Sequence, residues 1–100
     1  MLCLMVYIIK DVNNMYKYVV YYKSNGKVIK QFISLRFAIL FRESMDDYSK
    51  IGIKVEELKE NSFIIDDVGA MIKSFNTLEE AKEYKMKHGN PYWWTIMYKK

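Results

Sequence analysis

A chain of 100 residues with 51% hydrophobic and 28% charged content is sized for one domain that buries roughly 60–65% of its unfolded surface. Its single cysteine, Cys3, excludes an intrachain disulfide and any multi-cysteine metal site, as expected in a reducing cytoplasm. The net charge of +4 is gathered in residues 1–50, with eight basic against four acidic, whereas residues 51–100 balance at eight each; an anionic partner is therefore one expectation.

Leu2 to Ile9 is short and rich in β-formers, which predicts a strand; it is about half the ~20 residues a membrane span needs. No membrane association is expected. Asn13 and Asn14 then supply turn chemistry, and a chain starting at Met15 would keep everything that follows. Tyr16 to Lys23 and Lys27 to Phe32 flank Ser24-Asn25-Gly26. Asn-Gly between two β-rich runs predicts a hairpin, because both residues accept positive φ. Ser34 is placed to cap a helix running to about Met45 with its hydroxyl.

Ile51 to Leu58 and Ser62 to Asp66 read as strands, separated by Lys59 to Asn61, and Asp67-Val68-Gly69 turns the chain into a further strand, Ala70 to Phe75. Thr77 followed by Glu80 predicts a capping box. The helix it opens reaches about His88, where Gly89 and Pro91 stop it. Glu79, Glu80 and Glu83 come early and Lys85, Lys87 and His88 late, as the helix dipole prefers. Tyr92 to Tyr98 closes the chain as an aromatic strand.

One pattern organises this order. Gly26 to Ala38, GKVIKQFISLRFA, returns 43 positions later as Gly69 to Ala81, GAMIKSFNTLEEA. Ile29, Lys30, Phe32, Leu35 and Ala38 recur as Ile72, Lys73, Phe75, Leu78 and Ala81. The expectation is a single domain made of two similar strand-strand-helix units, about 15–58 and 59–100, with an N-terminal strand at 2–9. Helices that follow antiparallel hairpins predict an α+β fold, antiparallel sheet with two helices on one face. Whether that sheet is one or two is open. The segment Ile72 to Tyr84, IKSFNTLEEAKEY, resembles the strand-turn-strand-helix repeats of small bacterial and phage proteins. Lys, Ile, Asn and Tyr are what AT-rich coding produces, so a low-GC bacterium, its phage or another mobile element is the expected source.

The copies differ in one respect. Leu78, Ala81 and Tyr84 make a narrow apolar stripe, and Leu35, Ala38, Phe41 and Met45 make the matching one. Phe37, Ile39 and Leu40, however, stand where the second helix has Glu80, Lys82 and Glu83. Two explanations compete: these residues pack within the chain, or they form a patch for another protein, with Arg36 and Arg42 on its rim. Nine tyrosines and two tryptophans are mostly core material, with Trp93 a further candidate contact.

Catalytic signatures are weak. His88 has no nucleophile or orienting carboxylate placed for it, the Asp46-Asp47 and Asp66-Asp67 pairs sit at turns, and glycine never forms a phosphate-loop pattern. Neither an enzyme nor a cofactor is expected. The leading expectation is a protein-binding module whose partner is a host protein or a second copy of itself, such as a phage or mobile-element inhibitor of a defence nuclease. The alternative is a small basic nucleic-acid binder using Tyr22, Lys23, Lys27, Lys30 and Lys73.

Overall fold

The computed structural model describes residues 6–9 and 15–99. Seven strands, β1 (Val6–Ile9), β2 (Tyr16–Tyr22), β3 (Val28–Phe32), β4 (Ile51–Glu57), β5 (Ser62–Ile65), β6 (Met71–Phe75) and β7 (Thr95–Lys99), are joined by two α-helices, α1 (Leu35–Glu43) and α2 (Leu78–Lys87). A short 3-10 turn, Tyr48–Lys50, precedes β4. The fold is α+β, with two sheets rather than one. Of the expected N-terminal strand, residues 2–5 lie outside the described residues, as do Cys3 and the Asn13-Asn14 turn.

The chain divides into two compact units, Tyr16–Leu58 and the residues from Lys59 onward together with β1. In the Tyr16–Leu58 unit the sheet order is β3-β2-β4, antiparallel throughout. In the other unit it is β1-β7-β5-β6, where β6-β5-β7 is antiparallel. Each unit thus runs strand, strand, helix, strand, with its first strand central. β1 adds at the edge beside β7, parallel to it, with Val6 opposite Ile96.

The β2–β3 connection forms where expected but by a different turn. Only Gly26 has positive φ, at 74°, so Asn25 does not share the left-handed role. Its side chain instead accepts the Lys27 backbone N–H at 2.9 Å, and Gly26 N–H closes onto the Tyr22 carbonyl at 2.8 Å. The longer connection shifts register between Val20 and Tyr21.

α1 packs on β2, β3 and β4, and α2 on β5, β6 and β7. Val20, Phe32, Ala38 and Ile51 are buried in the first unit. Ile64, Phe75, Ala81 and Ile96 form the core of the second, with Val6, Leu78, Tyr84 and Trp94 against it. The two helix seats share a ring geometry: Phe32 meets Phe41 at 5.5 Å and 50°, and Phe75 meets Tyr84 at 5.4 Å and 56°.

Cap chemistry separates the helices. Thr77 accepts the Glu80 backbone N–H at 3.2 Å and donates its hydroxyl to the Glu80 carboxylate at 3.0 Å, a variant of the expected capping box. Ser34 occupies the N-cap position with extended backbone, but its hydroxyl makes no cap bond. At the end of α2, Asn90 N–H bonds the Lys85 carbonyl and Gly89 N–H the Met86 carbonyl, a Schellman closure. α1 stops at Glu43, two residues before the expected Met45, where Ser44 turns its hydroxyl to the Phe41 carbonyl at 2.6 Å.

Candidate functional site

Looking down α1 at about 100° per residue, Ala38 and Phe41 point to the sheet, Ala38 being fully buried. On the far side stand Arg36, Ile39, Leu40 and Glu43, with Leu35 and Phe37 on the flanks. All six are exposed: Leu35 by 45%, Phe37 by 39%, Ile39 by 36% and Leu40 by 50%. Leu35 was expected in the buried stripe. It is the first residue of the helix, and helical side chains lean toward the N-terminus, so it reaches past the end of its own seat.

The contrast with α2 is direct. There Glu80 and Glu83, standing where α1 has Phe37 and Leu40, are exposed, and Lys82, standing where it has Ile39, is half-buried. α2 is an ordinary surface helix with a charged outer side, whereas α1 has an apolar one. Of the two rim arginines, Arg36 is exposed. Arg42 is half-buried, and its Nε donates to the Ile51 carbonyl at 2.7 Å, which ties α1 to the start of β4. Trp93 is exposed in the other unit, edge-on to Tyr92 at 5.2 Å.

The candidate nucleic-acid residues are also dispersed. Lys23 and Lys27 are exposed at the β2–β3 turn, and Tyr22, the last residue of β2, is half-buried. Lys23 Nζ donates to the Ser49 carbonyl at 3.3 Å, and its backbone N–H meets the Lys50 carbonyl at 3.0 Å, so three lysines gather at this end of the sheet. Lys30 and Lys73 face the helices instead. Lys30 Nζ lies 5.9 Å from the Phe32 ring centroid and 5.3 Å from that of Phe41. Lys73 Nζ lies 5.9 Å from Phe75 and 5.0 Å from Tyr84. These ammoniums are held by aromatic faces.

A concave feature, which sequence reading did not single out, is an open cleft of about 370 Å³ lined by Glu60, Lys73, Phe75, Glu80, Tyr84 and Lys87 among others. Its lining charges are largely engaged: Glu83 pairs with Lys87 at 3.5 Å, and Glu80 is bound to Thr77. Glu60 Oε2 is buried with no hydrogen-bond partner among the described residues. Beside the cleft, Tyr84 stacks on His88 at 4.0 Å, and His88 Nδ1 meets the Tyr84 carbonyl at 2.8 Å. Among the described residues no group of three or more His, Cys, Asp or Glu side chains is placed to hold a metal ion, and no helix is long and apolar enough to cross a membrane.

Comparison with known proteins adds no relative: no family model, no curated protein and no solved structure matches this chain.

Proposed function

We propose that this chain is a small non-catalytic docking module that binds another protein through the outer side of α1. One observation carries the reading: Leu35, Phe37, Ile39 and Leu40 are all exposed on a single nine-residue helix, although the helix that follows the matching segment of the chain carries Glu80, Lys82 and Glu83 at the last three of those positions. Folded monomers seldom leave contiguous apolar area in water without a use for it. The flanking Arg36 suits an interface rim, where arginine is enriched. An AT-rich mobile-element origin fits an inhibitor that docks on a host enzyme, for example a defence nuclease, and the duplicated sequence segment fits a module in which one copy kept the fold while the other acquired the contact.

Site-specific photo-crosslinking tests this. A photoreactive residue at position 40 captures the bound protein, the same residue at position 83 does not, and Phe37→Glu with Leu40→Glu abolishes capture from a nearby reporter at position 36 while circular dichroism stays unchanged. Equal capture from positions 40 and 83 would remove the reading.

The nucleic-acid alternative is favoured by one observation, the gathering of Lys23, Lys27 and Lys50 at the turn end of the β3-β2-β4 sheet. It requires affinity for single-stranded nucleic acid that falls steeply between about 50 and 200 mM salt. No binding at the lower concentration eliminates it.

A further inference from the structure

The outer stripe of α1 is self-complementary. Arg36 and Glu43 are seven positions apart, which at about 100° per residue puts them within about 20° of each other on the helix surface. Ile39 and Leu40 lie between them, also on the exposed side. Read along the helix, the stripe is therefore positive, apolar, apolar, negative. A two-fold axis passing between Ile39 and Leu40 brings an antiparallel copy of the same helix into register. It sets Arg36 against Glu43 of the partner subunit, Glu43 against Arg36 of the partner subunit, and the four central apolar side chains against one another. This is the isologous geometry that closed dimers use.

A second observation points the same way. Within α1 these two charges are placed against the helix dipole: the first turn holds Arg36 and no acidic residue, and the helix ends on Glu43, although the last turn also carries Arg42, which is half-buried and donates to the Ile51 carbonyl. α2 has the favourable order, Glu79 and Glu80 first and Lys85 and Lys87 last. An unfavourable charge at each end of α1 becomes favourable when an antiparallel helix presents the opposite charge there. Neither Arg36 nor Glu43 makes a salt bridge with any described residue, so both are free to do so.

We infer that the α1 outer face pairs with a second copy of this chain, antiparallel about a two-fold axis between Ile39 and Leu40, with reciprocal Arg36–Glu43 ion pairs closing the two ends. This inference rests on the docking reading above and names the partner. Flanking Phe37 and Leu35 widen the contact on either side of the stripe. A nine-residue helix is about 13 Å long, so the contact is smaller than the ~800 Å² per partner of a standard interface. Its dissociation constant is correspondingly expected on the order of 10–100 µM.

Sedimentation equilibrium of the intact chain, of Arg36→Glu, of Glu43→Arg and of an equimolar mixture of the two variants is the test. The wild type dimerises in that concentration range. Each reversal alone sets like charges against each other at both ends and weakens the dimer by about tenfold or more. The mixture recovers it, because one variant then carries two negative ends and the other two positive ends. Should either reversal unfold the chain, Arg36→Gln and Glu43→Gln replace them and must each weaken pairing. A wild type that stays monomeric at about 1 mM, or a dimer indifferent to these changes, overturns the inference. A monomeric wild type whose position 40 still crosslinks to a different protein overturns self-pairing and leaves the docking reading in place.

Discussion

The two N-caps show how far a single residue can be read. Ser34 and Thr77 were both legible as helix starts, and both occupy N-cap positions with extended backbone. Only Thr77 makes the bond. The difference depends on a side-chain rotation that residue type does not specify. Thr77→Ala is therefore expected to cost about 1 kcal/mol, and Ser34→Ala a few tenths at most, as read by urea denaturation; equal losses would show that the cap bonds are not what separates them. Gly52 lies at the opposite limit, since nothing around it in sequence marks it as special. A Cβ built there would sit 2.7 Å from Cζ of Tyr21, on the strand directly beside it, where Gly52 is opposite Tyr21. Gly52→Ala must push that ring, which Lys54 also approaches at 5.2 Å. The expected loss is about 1–2 kcal/mol, largely abolished in a Tyr21→Ser background.

At the scale of elements, hydrophobic period and turn chemistry carried most of the information. β2, β3, α1, β4, β5, β6 and α2 start within two residues of where the sequence puts them, and Gly89 ends α2 through its own backbone bonds. Tyr92, Trp93 and Trp94 were read as strand, but β7 begins at Thr95, because the turn after Pro91, closed by Trp94 N–H on the Pro91 carbonyl, consumes them. Lys30 and Lys73 look alike in sequence and behave alike in structure: each lies on an edge strand, directly opposite Val20 or Ile64, with its ammonium over two rings. A lysine there discourages sheet-to-sheet association and adds cation–π attraction. Reversing the charge replaces that attraction with repulsion, so Lys30→Glu and Lys73→Glu should each lower thermal stability, by about 1–2 kcal/mol, whereas Lys→Arg leaves it nearly unchanged. A loss from one and not the other would show that the two seats are not equivalent.

For the whole molecule, the α+β class was legible because strand-strand-helix order admits few packings. The number of sheets was not, since it depends on which distant strands pair. β1 pairing parallel to β7, some ninety residues away in register from Val6 to Ile96, is a long-range choice that no local pattern encodes. The apolar side of α1 was legible as a difference between two similar segments, but whether it was core or surface was not. Its antiparallel self-complementarity became visible only once Arg36, Ile39, Leu40 and Glu43 were all found on the exposed side.

The most direct measurement is the unfolding free energy of a variant whose α1 carries the α2 residues, Phe37→Glu, Ile39→Lys and Leu40→Glu, in dilute solution where the wild type is monomeric. If these side chains serve a partner, the variant unfolds cooperatively within about 1 kcal/mol of the wild type, as exposed substitutions do. A loss of more than about 4 kcal/mol, the cost of removing buried apolar side chains or burying charge, would place them in the monomer's own core and contradict the docking account.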